Sequence, residues 1–215
     1  MNLYYLLVLI ILNCVFSMRS NLNIFRRSLN SESVNILIVS SPPGCGKTNE
    51  VGKFIYDSFK DGKYKYVIFI KKLVSERKFV DLSIYEKLCL YYKKEDLDYL
   101  AKTNLFKVIL MKELYGFDFK NSIILVEDAN RYKVNDLKLL MSKVDESCKL
   151  VITDSIKDKN ILNLIKKVDK LRLKEYVESK LDRSVILEDN VKGLELGIDD
   201  IRRSNITKKI FNDFF

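Results

Sequence analysis

Residues Ser41-Pro42-Pro43-Gly44-Cys45-Gly46-Lys47-Thr48 hold both prolines of the chain and two of its seven glycines. An apolar run of buried-strand length, Val34–Ser40 (VNILIVS), leads into this octet. A helical pattern follows from Lys47 to about Lys60, with Val51, Phe54, Ile55 and Phe59 on one face. Between a strand and a helix, such a turn has a specific physical use. Gly44 and Gly46 permit backbone angles that aim successive N–H groups at one anion. The partial positive charge of the helix N-terminus adds to that attraction. Pro42 and Pro43 have no N–H, so the cradle falls to residues 44 to 48, including Cys45. Lys47 would then reach the outer phosphates of a nucleotide, and the Thr48 hydroxyl would bind Mg²⁺. The octet follows GxxxxGK[ST] with one departure, Ser41 in the first glycine place. Its eight residues are together the candidate site for ATP or another nucleoside triphosphate, the plain alternative being a chance turn.

Further along the chain, short apolar runs alternate with helical patterns. Tyr66–Ile70, Phe106–Leu110, Ser122–Val126 and Leu150–Thr153 are predicted strands, and residues 83–101 are expected to be helical. Val134, Leu137, Leu140, Met141 and Val144 mark another amphipathic helix. The alternation predicts an α/β fold: a parallel sheet with helices on both faces. The expected organisation is a targeting segment over 1–18, a polar spacer over 19–33, the core over 34–158, and a charged, helical extension over 159–215.

Two further strand ends carry acids. Ile123-Ile124-Leu125-Val126 runs into Glu127-Asp128. The order Asp-Glu is usual at such a position, one acid orienting the metal and the next activating water. Reversed here, it assigns Glu127 to Mg²⁺ and Asp128 to the water, where a general base must lie within hydrogen-bond reach. Two acids opening a loop is the plain alternative. Lys149–Asp154 ends in a carboxylate that could sense the terminal phosphate, or merely cap a helix.

Taken together, Ser41–Thr48, SIILVEDAN (122–130) and VNDLKLLMSKVDESCKLVITDSIKD (134–158) resemble the PhoH-like ATPases, single-lobe relatives of superfamily 1 helicases. The resemblance implies a RecA-like P-loop NTPase fold with ATP and Mg²⁺ as ligands. The family's Asp-Glu-Ala-Gln-Asn is similar to Glu127-Asp128-Ala129-Asn130, with the Gln lost. Its Gly-Asp-x-x-Gln keeps only Asp154, and its Arg-Pro after the second strand looks like Lys71-Lys72. Asp200–Ile206 is similar to a C-terminal family segment, which would make Arg203 the phosphate-facing arginine. The likeness covers residues 34–158 well and 195–212 loosely. The first lobe of viral RNA helicases is similar too, but about 60 residues follow Asp154, too few for a second lobe.

Composition sets the remaining bounds. The 215 residues suit one domain, and 47% hydrophobic content can bury a core. There is no histidine, which excludes His-dependent triads and His-ligated zinc. Cys14, Cys45, Cys89 and Cys148 are scattered singly, so a disulfide framework is not expected. A net charge of +9 favours polyanions such as RNA, although a lysine-biased composition yields the same excess. Lys71 and Lys72 are the candidate nucleic-acid contacts, with solvated lysines around a buried strand as the alternative. Homo-oligomerisation is a further expectation. Residues 1–18 carry no charge, and their apolar run from Leu3 to Phe16 is 14 long. That suits a signal peptide or a short membrane anchor; Arg19, Arg26 and Arg27 behind it favour an anchor with the domain in the cytosol. Two functions compete at this stage. One is an NTPase acting with RNA; the other is a nucleotide-binding switch without turnover, suggested by the reversed acids. A small-molecule kinase is a third, without a recognisable arginine-rich lid.

Overall fold

The computed structural model describes residues 21–72, 82–154 and 191–195, together with Asn163. Six strands form one parallel sheet: β1 (Ile36–Ser40), β2 (Tyr66–Lys71), β3 (Phe106–Leu110), β4 (Ser122–Val126), β5 (Lys149–Asp154) and β6 (Val191–Glu195). Their spatial order is β3-β2-β4-β5-β1-β6. Five α-helices accompany them: α1 (Asn21–Asn30), α2 (Lys47–Lys60), α3 (Ser83–Leu88), α4 (Lys94–Lys102) and α5 (Val134–Met141). Two 3₁₀ turns, Met111–Gly116 and Ala129–Arg131, complete the described elements.

The inner strands β1, β2, β4 and β5 are near-continuous apolar runs because helices cover both faces, as parallel sheets require. Side chains alternate between two cores with a period of two. Leu37 and Val39, Val67 and Phe69, Ile123 and Leu125 join Val151 in one core, against α1, α2, α3 and α4. Ile36 and Ile38, Ile68 and Ile70, Ile124 and Val126 join Leu150 and Ile152 in the other, under α5 and the 3₁₀ turns. The α/β class, parallel sheet and two-sided helix cover are as the sequence predicts. Placing β4, β5 and β1 side by side brings their C-terminal ends to one edge, with Ser40 opposite Asp154 and Val126 opposite Ile152. Open α/β sheets bind ligands at that edge.

Three expectations are corrected. The polar spacer is a helix: α1 buries Leu22, Phe25 and Leu29, spaced at three and four, against the α2 side of the sheet. Its serines and asparagines serve local bonds instead of a linker, with Ser28 Oγ donating to the Ile24 carbonyl at 2.8 Å. Arg26 then holds Glu50 of α2 through two bonds of 2.5 Å. The ammonium of Lys149, on β5, donates to the carbonyls of Ser28 and Ser31 at 2.8 and 2.9 Å, and to that of Val34. In the C-terminal extension, residues 191–195 are a strand, not a helix; β6 pairs in parallel with β1, which supplies the backbone partners. The helix expected over 83–101 is two helices. Between them Tyr91 and Tyr92 turn onto Tyr56, with ring centroids 5.4 and 5.0 Å away. Residues 1–18 and Arg203 lie outside the described residues. Among those described, no helix is long and apolar enough to cross a membrane.

Candidate functional site

The octet forms the loop from β1 to α2. Gly44 and Gly46 have φ of 89° and 86°, left-handed values that L side chains rarely adopt. Gly46 is the N-cap of α2, and its carbonyl accepts from Glu50 N at 3.0 Å. Ser41 N donates to the Asp154 carbonyl at 3.3 Å, which fastens the loop to β5. Cys45 is fully buried in the core shared with α2, so the loop is pinned from below as well.

Lys47 is the first residue of α2, and its side chain folds back under the loop. Its amine donates to Ser41 Oγ and to the Pro42 carbonyl at 3.4 Å. The serine in the first glycine place thus has a function, accepting from Lys47 while its own hydroxyl donates to the Pro42 carbonyl at 3.0 Å. Lys47 is 6% exposed. Burial lowers its pKa, while Cys45, Asp154 and Asp128 push it back up. Among the described residues it makes no ion pair. A buried ammonium held only by neutral oxygens suits an incoming anion.

Glu127 leaves the end of β4 and is 8% exposed. Its Oε1 accepts from Ser83 Oγ at 2.7 Å, and Oε2 lies 3.6 Å from Lys71 Nζ. Oε2 accepts no hydrogen bond among the described residues. Burial pushes the Glu127 carboxyl up; Ser83 and Lys71 hold it down, and Asp128 pushes it up. Asp128 has φ 51° and ψ 56°, a left-handed conformation that costs a non-glycine residue about 1 kcal/mol. Its carbonyl accepts from Arg131 N at 2.9 Å, closing the 3₁₀ turn. Asp154 ends β5 and is 1% exposed.

These parts meet around one cleft of about 410 Å³, whose walls include Gly44, Gly46, Lys47, Thr48, Glu127 and Asp128. Such a volume accommodates a small-molecule ligand. The donor set fits a Mg²⁺–polyphosphate: a buried ammonium, a hydroxyl and a buried carboxylate oxygen with no hydrogen bond. A second hollow, of about 610 Å³ near Asn35 and Ser147, has neither loop glycines nor a lysine.

Of the sequence-predicted residues, Pro43, Gly44, Gly46, Lys47, Thr48, Glu127 and Asp128 line the cleft, while Cys45 lies in the core and Asp154 is joined to the loop through its carbonyl and Ser41 N. The two candidate nucleic-acid lysines differ: Lys71 is buried in an ion pair, whereas Lys72 is exposed. Lys71 turns inward because β2 lies beside β4, with Ile70 opposite Val126, so its amine meets the next residue, Glu127. Lys72 donates to the Arg131 carbonyl at 2.6 Å. Sequence reasoning missed Ser83 and Lys87, which also line the cleft. No motif marks them, and only the strand order could have revealed Lys71 as a partner of Glu127. A family model described as PhoH-like protein matches residues 23–214. No curated protein matches the chain.

Proposed function

This chain belongs to the PhoH-like protein family, a P-loop NTPase family, and from that premise we propose that its cleft binds and hydrolyses a Mg²⁺–nucleoside triphosphate. The observation that carries the reading is that the buried Lys47 lines one cleft together with Glu127 and Asp128. In this reading Lys47 and the N–H groups of residues 44 to 48 hold the phosphates. Thr48 and Glu127 hold Mg²⁺, which when bound neutralises charge on phosphate oxygens. Asp128 accepts the proton of the attacking water, its backbone strain fixing the carboxylate at the cleft. Asp154 and Arg203 report the state of the terminal phosphate. RNA is the proposed partner, supported by the net charge of +9. Membrane targeting by residues 1–18, with the domain cytosolic, completes the reading.

A second reading, a nucleotide-binding switch without turnover, draws on the ion pair of Lys71 with Glu127, which occupies the metal acid internally. Phosphate release from MgATP by the full chain, with and without RNA, tests both. Release above that of Lys47→Ala supports hydrolysis. No release above that control rules it out, and ATP-induced thermal stabilisation would then leave the switch.

A further inference from the structure

Helix α3 forms a wall of the cleft that no motif describes. Its residues Ile84 and Leu88 are fully buried in the core beside α2. The other face carries Ser83 and Lys87, four residues apart and therefore neighbours on one side of the helix. Ser83 reaches Glu127, and Lys87 lines the cleft together with Gly46, Lys47 and Thr48. The approach of α3 to α2 depends on Gly52. A Cβ there would lie 3.2 Å from Lys87 Cβ, tighter than side chains ordinarily tolerate. Gly52 is one turn beyond Thr48 on α2, so the glycine seats Lys87 beside the phosphate loop.

Charge gives this placement its meaning. Glu127 and Asp128 line the cleft, Asp128 and Asp154 act on the charge of Lys47, and the nearby ammonium of Lys71 is committed to Glu127. A nucleoside triphosphate keeps net negative charge even with Mg²⁺ bound, so a further ammonium in the cleft wall favours its binding. Lys87 is half-buried, and among the described residues its amine joins no ion pair.

We infer that Lys87 is a second polyphosphate-binding lysine, contributed by α3 to the cleft that Lys47 also lines. The inference rests on the reading of the cleft as a nucleoside-triphosphate site. Lys87 is a binding residue under this inference, and Gly52 is the positioning residue that allows it to reach.

The test is a titration of the full chain with a fluorescent ATP analogue and Mg²⁺, read by fluorescence. Lys47→Ala serves as the control for the cleft itself. Replacing Lys87 with Met is expected to weaken binding about tenfold, while Lys87→Arg stays within about threefold of wild type. Lys87→Glu weakens binding further than Met, and the thermal midpoints without nucleotide stay unchanged. Gly52→Ala also weakens binding, by displacing α3. Equal affinities for wild type, Lys87→Met and Lys87→Glu, with Lys47→Ala still defective, would overturn the inference and leave the nucleotide site standing. If Lys47→Ala binds like wild type, the site reading itself fails. Should Lys87→Met not fold, the ranking of Arg above Glu decides.

Discussion

Replacing Lys149 with Met tests how the N-terminal helix is tied to the sheet. The Lys149 side chain is 1% exposed, and its ammonium serves three backbone carbonyls, those of Ser28, Ser31 and Val34. An acceptor left unsatisfied in the interior costs about 1–3 kcal/mol, and two of the three bonds are buried. Against that stands the cost of burying the charge, which lowers the Lys149 pKa from 10.5 to about 7, with Lys63 adding to the effect. The sign follows from proton counting. Below pH 7 both states hold the proton, and the buried charge weighs fully against the fold. From pH 7 to 10.5 the unfolded chain holds one proton more, so stability rises by up to about 1.4 kcal/mol per unit. Methionine has nothing to titrate. Lys149→Met is therefore expected to cost about 2 kcal/mol at pH 7, and about 2 kcal/mol more at pH 9. Urea unfolding of both proteins at the two pH values, followed by circular dichroism, measures the difference. A stability gap that does not change with pH would refute the reasoning. It would show that the three carbonyls keep the ammonium charged throughout, and that burial does not dominate.

Other perturbations probe neighbouring claims. Arg26→Ala removes two charge-assisted hydrogen bonds from the nearly buried Glu50 carboxylate and should destabilise the fold by about 1–3 kcal/mol, since Arg26 itself is partly exposed. Glu50→Gln in the Arg26→Ala background should recover most of that loss in a double-mutant unfolding cycle. Gly46→Ala, at φ 86°, should cost about 1–2 kcal/mol in thermal unfolding and lower nucleotide affinity as well. Ser83→Ala removes the donor to Glu127 Oε1 and should lower stability by about 1–2 kcal/mol in the absence of nucleotide.

Strands β1 to β5 were readable because each is a short run dominated by apolar residues; Phe106–Leu110 and Ser122–Val126 have the bounds their composition predicts. The phosphate loop was readable for a different reason: its backbone must adopt left-handed angles, and glycine is the residue that adopts them freely. What failed was everything set by tertiary neighbours. The spacing of Leu22, Phe25 and Leu29 carried a helical signal, but the surrounding serines and asparagines read as linker. Strand β6 has the sequence VKGLE, with a lysine and a glycine in five residues, and among the described residues its strand neighbour is β1. The partnership of Lys71 with Glu127 exists because β2 was placed beside β4, and strand order is not written in either segment. Ser83 and Lys87 reach the cleft through a helix whose position is fixed by Gly52 and the core beneath it.

The central claim is that Lys47 and Glu127 serve one ligand, a Mg²⁺–nucleoside triphosphate. Titration calorimetry of ATP into the full chain, with and without Mg²⁺, addresses it most directly. The wild type is expected to bind one ATP per chain, more tightly with the metal. Lys47→Ala should abolish binding in both conditions, and Glu127→Gln should remove only the increment due to Mg²⁺. Unchanged ATP affinity in Lys47→Ala, or a metal increment that survives in Glu127→Gln, would contradict the account.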